Sequence, residues 1–186
     1  MTTAQDAIGI GPAIYSRREI TETVERLAAC IARDYRGQPL TLLGVLKGAL
    51  CFTADLSRAL ARKADGPSEI LMDYVVVERY GASGTSGRSA RLAGDCKVKI
   101  RGAHVLIADG IVDHGVTLAF VGKLIRERGP ASLRSCALFH RPAARRVEVK
   151  PDYVGSEVGE RFVIGYGLDY KELYRNLPCL AELREG

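Results

Sequence analysis

Two aspartates, Asp109 and Asp113, stand in the run HVLIADGIVDHGVTL (His104 to Leu118), between an apolar segment and a glycine–threonine pair. Val105, Leu106, Ile107 and Ala108 read as a short parallel strand buried on both faces. The acids follow at its carboxyl end, and Gly115 and Thr117 open the next helix, which is where open α/β sheets place their ligands. Gly115 permits close backbone approach, the amides of a helix start point at an anion, and Thr117 adds a hydroxyl. A strand that ends in acid, Gly and Thr in this way is suited to hold a sugar phosphate. The same residues also fit an Asp and a Thr that do no more than cap a helix. His114 next to the two acids raises a transition-metal site, against which stands the lack of a second His at ligand spacing.

The elements that must position this motif are legible around it. Ser16-x-x-Glu19 forms a capping box ahead of Ile20, Val24, Leu27, Ala28 and Ile31, an amphipathic helix that stops at Gly37 and Pro39. The run Leu40 to Leu46 reads as a buried strand, Lys47 and Gly48 as a turn, and Phe52, Leu56 and Leu60 as the inner face of a second helix. A strand is expected at Ile70 to Val77. From Arg79 to Asp95 the chain is Gly- and Ser-rich and irregular, long for a connection inside a compact domain, and reads as a candidate lid. Leu118, Val121, Leu124 and Ile125 mark a helix that ends at Gly129-Pro130. Strands are expected at Leu133 to Phe139, Asp152 to Val154 and Arg161 to Ile164. The alternation predicts one α/β domain over residues 1–186, built on a parallel sheet.

A formal charge of +5 favours anionic partners without choosing between a polyphosphate and a nucleic acid. The basic clusters, Arg17 with Arg18, and Arg141, Arg145, Arg146 and Lys150, carry no interleaved aromatics and fit a solvated surface. Five scattered cysteines without C-x-x-C spacing are expected to be reduced, with Cys30 and Cys51 packing as small apolar side chains. The apolar stretches are too short to span a bilayer and the start lacks a signal-peptide pattern, so a cytoplasmic protein is expected.

Together, HVLIADGIVDHGVTL, the VLKG turn at Val45 to Gly48, the RYG at Arg79 to Gly81 and the stretch RFVIGYGLDYKELYRNLP resemble the type I purine salvage phosphoribosyltransferases, the hypoxanthine-guanine branch in particular. The resemblance implies a central parallel sheet flanked by helices, with a small hood made by terminal segments. It implies Mg²⁺-dependent transfer of the phosphoribosyl group of 5-phosphoribosyl 1-diphosphate to hypoxanthine or guanine, and a homodimer or homotetramer with no membrane or nucleic-acid partner. Residue by residue, it implies that Asp113, His114, Gly115, Val116 and Thr117 cradle the 5-phosphate, that Asp109 takes ribose hydroxyls, and that Asp113 accepts the purine N7 proton. Lys47, Gly48 and Arg175 are implied for pyrophosphate, and the peptide before Lys47 is commonly cis in the family. Arg141, Phe162, Val163 and Asp169 are implied around the purine, with Asp169 also at Mg²⁺, and Arg79 and Tyr80 on the active-site loop.

Four positions depart from the commonest family pattern. Gly110 replaces the second of two adjacent acids, His114 a Thr, Arg141 a Lys that meets the purine O6, and Arg79 a Ser. A missing charged acceptor at 110 is expected to weaken donor binding, so Gly110→Asp is expected to lower the Michaelis constant for the phosphoribosyl donor. The competing readings are a weakly active or inactive relative that binds nucleotide or RNA as a regulator, and a phosphoribosyltransferase for another nucleobase.

Overall fold

The computed structural model describes residues 9–80 and 89–184, the side chain of Tyr80 excepted. In chain order the elements are β1 (Gly9–Tyr15), α1 (Arg17–Asp34), β2 (Pro39–Leu46), α2 (Leu50–Ala61), β3 (Glu69–Tyr80), β4 (Ser89–Gly94), β5 (His104–Val112), α3 (Val116–Arg126), β6 (Ser132–His140), a 3₁₀ turn (Pro142–Ala144), β7 (Tyr153–Glu157), β8 (Val163–Ile164) and β9 (Leu180–Arg184). Six strands form the main sheet in the order β4-β3-β2-β5-β6-β7, and β1, β9 and β8 form a second, three-stranded sheet from the ends of the chain. The main sheet is parallel except for β4, which pairs antiparallel with β3.

Strand parity divides the core. Leu40, Leu42, Leu106 and Ala108 face one way and pack with Ile20, Val24, Leu27 and Ile31 of α1 and Phe52 and Leu56 of α2. Their chain neighbours Leu43, Val45, Val105 and Ile107 face the other way, against Leu118, Val121 and Ile125 of α3. With helices on both faces the central strands need to be apolar throughout, which is why they read as continuous runs. The capping box on α1 is formed: the Glu19 amide donates to Ser16 Oγ at 3.3 Å and the Ser16 amide to Glu19 Oε2 at 2.8 Å. The cysteines are free, and Cys30 and Cys51 pack against the larger core. No helix among the described residues is long and apolar enough to cross a membrane.

Beyond β1 and β9, where the sequence reading placed no strand, and β8, which is shorter than expected, two segments beside the motif differ from that reading. The motif strand does not stop at Ala108, because β6 continues to pair with it at Asp109, Ile111 and Val112, so Asp109 and Gly110 lie inside β5 and only Asp113 leaves it. The irregular segment is also shorter than expected. Arg79 and Tyr80 belong to β3, which pairs residue by residue with β4 from Val77 and Leu92 out to Tyr80 and Ser89, and residues 81–88 of the expected lid lie outside the described residues. At the root of this hairpin, both Asp95 carboxylate oxygens accept from the Arg128 guanidinium at 2.8 Å, tying it to the end of α3.

Candidate active site

The helix start after β5 makes an anion cradle. Gly115 caps α3 with φ 82, a left-handed conformation that glycine adopts without a steric penalty. A Cβ on it would also sit 2.6 Å from Val149 Cγ1 and 3.1 Å from the Val147 carbonyl, so the loop is packed tightly under the chain that follows β6. The Arg146 and Val147 amides both donate to the His114 carbonyl, at 3.0 and 3.1 Å, and fix the loop from that side. The first-turn amides of α3 have no intrahelical acceptor. A cavity of about 70 Å³ opens over this loop, lined by Asp109, Ile111 and Val112 of β5, residues 113–118, and Arg79 from β3.

Beside the cradle, Asp113 meets a cluster that begins just after the neighbouring strand β6. Its Oδ1 is buried, accepts no hydrogen bond and lies 3.6 Å from Arg141 Nη1. Arg141 is held in turn by the Arg161 carbonyl, to which its Nη2 donates at 2.6 Å, while its Nε is buried without a partner. Phe162 follows Arg161 with 53 % of its surface exposed, its ring meeting Tyr170 edge-on at 5.8 Å. Val163 is buried in β8 and pairs with Glu182 of β9, so the terminal sheet fixes this wall. A flat, exposed aromatic next to a fixed guanidinium and a carboxylate can receive a planar, polar heterocycle.

The third wall is the turn after β2, where the Leu46–Lys47 peptide is cis. Lys47 Nζ donates to Glu172 Oε2 at 2.9 Å, and Arg175 Nη2 reaches the same oxygen at 3.2 Å and Asp169 Oδ1 at 2.9 Å. Arg175 Nη1 donates to the Gly167 carbonyl at 2.7 Å, and the Glu172 amide to Asp169 Oδ2 at 2.9 Å. A Cβ on either Gly110 or Gly167 would run into the Gly48 carbonyl, so that carbonyl is packed between two bare backbones.

The residues singled out in the sequence therefore gather along the carboxyl ends of β3, β2, β5 and β6 in groups joined by direct contacts: Arg79 with His114, Asp113 with Arg141, and Asp169 with Arg175. Two more belong with them that the sequence reading passed over. Glu172 joins Lys47 to Arg175, and Arg145, read as part of a solvated cluster, is only partly exposed, with Nη1 shut away from solvent and without a hydrogen-bond partner. Burial pulls the Arg145 guanidinium below its ordinary value, with Asp113 acting against that. Neither had a local signal: each is one charge among many until the fold closes.

The phosphoribosyl transferase domain family matches residues 12–171. The hypoxanthine-guanine phosphoribosyltransferase of Streptococcus pneumoniae is 37% identical over 172 residues, covering 92% of each chain. That of Bacillus subtilis is 36% identical over 171 residues, again 92% of each. The chain belongs to the hypoxanthine-guanine phosphoribosyltransferase family. Its fold agrees with that of a solved structure of the Trypanosoma cruzi hypoxanthine phosphoribosyltransferase, with TM-score 0.86, 37% identity and coverage of 94% of this chain and 92% of that one.

In this phosphoribosyltransferase two of the four departures meet each other: Arg79 Nη2 lies 3.5 Å from His114 Nδ1. Burial, then the nearby Arg146 and Arg79 guanidiniums, lower the His114 pKa and favour the neutral ring. Asp109 shows the opposite trend. It is buried, and burial pushes its pKa up to about 7 despite hydrogen bonds from the Ile111 and Gly110 amides, with Asp113 adding repulsion and Arg79 opposing it. A carboxyl with a raised folded-state pKa supports the fold fully below its unfolded value near 4, and that support is lost as pH rises towards 7. Asp109→Asn is accordingly expected to melt with the parent at pH 4 and above it at pH 8, by about 2 to 4 kcal/mol. Melting curves at the two pH values check this, and an equal difference at both contradicts it.

Proposed function

We propose that this chain transfers the 5-phosphoribosyl group of 5-phosphoribosyl 1-diphosphate to a 6-oxopurine, hypoxanthine or guanine, releasing pyrophosphate and forming the nucleoside monophosphate. The observation that carries the reading is Asp113 Oδ1, buried, without a hydrogen-bond donor, and set between the anion cradle and the Arg141–Phe162 wall. In the proposed reaction the purine N9 forms a bond to ribose C1′ as the bond from C1′ to pyrophosphate oxygen breaks, and the N7 proton passes to Asp113. Removal of that proton keeps electron density on the purine while positive charge develops on the ribose.

The remaining roles follow from position. Residues 113–117 hold the 5-phosphate on the α3 amides and the Thr117 hydroxyl, and Asp109 takes ribose hydroxyls. Arg141 donates to O6, Phe162 stacks on the ring and Val163 offers its backbone to the base edge. Lys47, the Gly48 backbone and Arg175 receive pyrophosphate. Arg79 and Tyr80, on β3 of the β3–β4 hairpin, stand at the edge of the site within a single catalytic domain, where Arg79 helps line the cradle.

Asp169 suits Mg²⁺: it offers two oxygens, each with a lone pair beyond the one used by Arg175 or the Glu172 amide. A hard cation of this kind is commonly held by one carboxylate with substrate oxygens and waters. When bound, Mg²⁺ neutralises charge on the diphosphate as it leaves. We place the enzyme in the cytoplasm as a homodimer or homotetramer. Leu50, Leu71 and Met72 are 52%, 44% and 38% exposed, and the last two lie on β3 where β4 does not reach, an apolar edge suited to a second copy.

Incubation with 5-phosphoribosyl 1-diphosphate, Mg²⁺ and each of hypoxanthine, guanine, xanthine and adenine tests the reading. Hypoxanthine and guanine are expected to be consumed and adenine spared, since Arg141 can donate to an oxygen but not to an exocyclic amine. Turnover of adenine alone, or of no base, overturns it.

A further inference from the structure

We propose that Glu172 is the resident counter-ion of the pyrophosphate site: its carboxylate pairs Lys47 with Arg175 while the site is empty and gives way when a diphosphate arrives. It thereby sets the affinity for the phosphoribosyl donor and for released pyrophosphate. The inference rests on the reading above that those two cations meet pyrophosphate.

The geometry is specific. Lys47 and Glu172 are 125 positions apart, yet Lys47 Nζ lies 2.9 Å from Glu172 Oε2, and Arg175 Nη2 lies 3.2 Å from that same oxygen. One oxygen shared by two cations is a charge arrangement that a diphosphate oxygen reproduces. Arg175 has anchors of its own, at the Gly167 carbonyl and Asp169 Oδ1, whereas the Lys47 side chain is held by its hydrogen bond to Glu172. Loss of the carboxylate therefore leaves Arg175 in place and releases Lys47 towards a ligand.

The turn that presents Glu172 is built for the purpose. Lys171, Glu172 and Tyr174 have φ of 50, 67 and 74, left-handed values that non-glycine residues adopt at a cost and that cluster at ligand clamps. Reciprocal backbone bonds between Tyr170 and Leu173, at 3.2 and 3.0 Å, close the turn, and the Glu172 amide is fastened to Asp169 Oδ2. The backbone is fixed while the carboxylate end stays in water: the Lys47 and Glu172 side chains are 60% and 64% exposed. An ion pair so exposed is weak and exchanges readily, and a diphosphate brings more charge and more acceptor oxygens to the same cations.

Glu172→Gln keeps the shape and removes the competing charge. Its inhibition constant for pyrophosphate and its Michaelis constant for the donor are expected to fall roughly threefold to tenfold, with kcat equal or lower because product leaves more slowly. Calorimetric titration of the base-free protein with Mg²⁺ and pyrophosphate should show the same tightening. Glu172→Asp, which restores the charge, should return the constants towards the parent values. Unchanged or weakened pyrophosphate binding in Glu172→Gln, with an unaltered melting temperature, overturns the inference, since it would make the carboxylate a bystander or a support for Lys47. Lys47→Met in the same titration separates the two levels. If pyrophosphate binding survives it, the site reading fails; if binding drops there and Glu172→Gln does not tighten, the inference alone fails.

Discussion

Asp113→Asn is expected to reduce kcat by two to four orders of magnitude, the usual contribution of a positioned general base. Asparagine matches aspartate in shape and cannot accept the proton. Asp113 is the first residue after β5, its Oδ1 is buried without a hydrogen bond, and its ionic contact is Arg141 Nη1 at 3.6 Å, beyond hydrogen-bonding range. No hydrogen bond at Oδ1 depends on the charge, which balances the partly buried Arg141 and Arg145 guanidiniums at longer range. The cradle amides are backbone groups, so the Michaelis constant for the donor should move far less than kcat, the pattern of an interaction that acts in the transition state. Steady-state kinetics with varied donor at saturating hypoxanthine would decide it. Retention of more than half of kcat assigns the proton to another group, and a large rise in the Michaelis constant at constant kcat makes Asp113 a binding residue.

Gly110→Asp is expected to raise the Michaelis constant for the phosphoribosyl donor about tenfold to a hundredfold, the reverse of the sequence expectation. The family pattern suggests that an acid here restores a missing acceptor. Parity within β5 argues otherwise: Asp109 lies on the α3 face with Val105 and Ile107, and Gly110 on the opposite face with Leu106 and Ala108. On that face the turn after β2 presses against the strand. A Cβ at Gly110 would stand 2.6 Å from the Gly48 carbonyl oxygen and 3.4 Å from Leu168 Cδ2. Because the first of these is backbone, relief requires the Lys47–Gly48 turn to move. Overpacking of this kind costs about 1 to 3 kcal/mol, the range that sets the expected change in affinity. Gly110→Ala brings the same Cβ without the carboxylate and should show most of the effect. A lower Michaelis constant in Gly110→Asp at an unchanged melting temperature would restore the original expectation.

The contrast at position 110 shows how far the sequence could be read. The helix started by Ser16 and Glu19, the strand from Leu40 to Leu46 and the turn at Gly115 were legible because each is specified by residues close together: a cap, an apolar run, a glycine at positive φ. The length of β5 was not, since Asp109 and Gly110 look like loop residues until Ala137 and Phe139 of β6 pair along them. The hairpin of β3 and β4 was hidden for the same reason, its Gly- and Ser-rich composition being overruled by pairing from Val77 and Leu92 outwards.

For the proposed site, Asp109, Asp113, Lys47, Asp169 and Arg175 were candidates in advance because the motifs that carry them are short. Glu172 and Arg145 could not, because their importance lies in what they touch: Lys47 across 125 positions in one case, a solvent-excluded space near Asp113 in the other. The sequence by itself determined the family, the sheet and the kinds of group available to the reaction, because local spacing and apolar periodicity act on neighbouring residues. Only the tertiary structure decided that Asp109 is pushed up to about 7, that Glu172 occupies the two cations, and that Gly110 has no room for a side chain. Burial, charge pairing and close contact are properties of surfaces that meet only when the chain has folded.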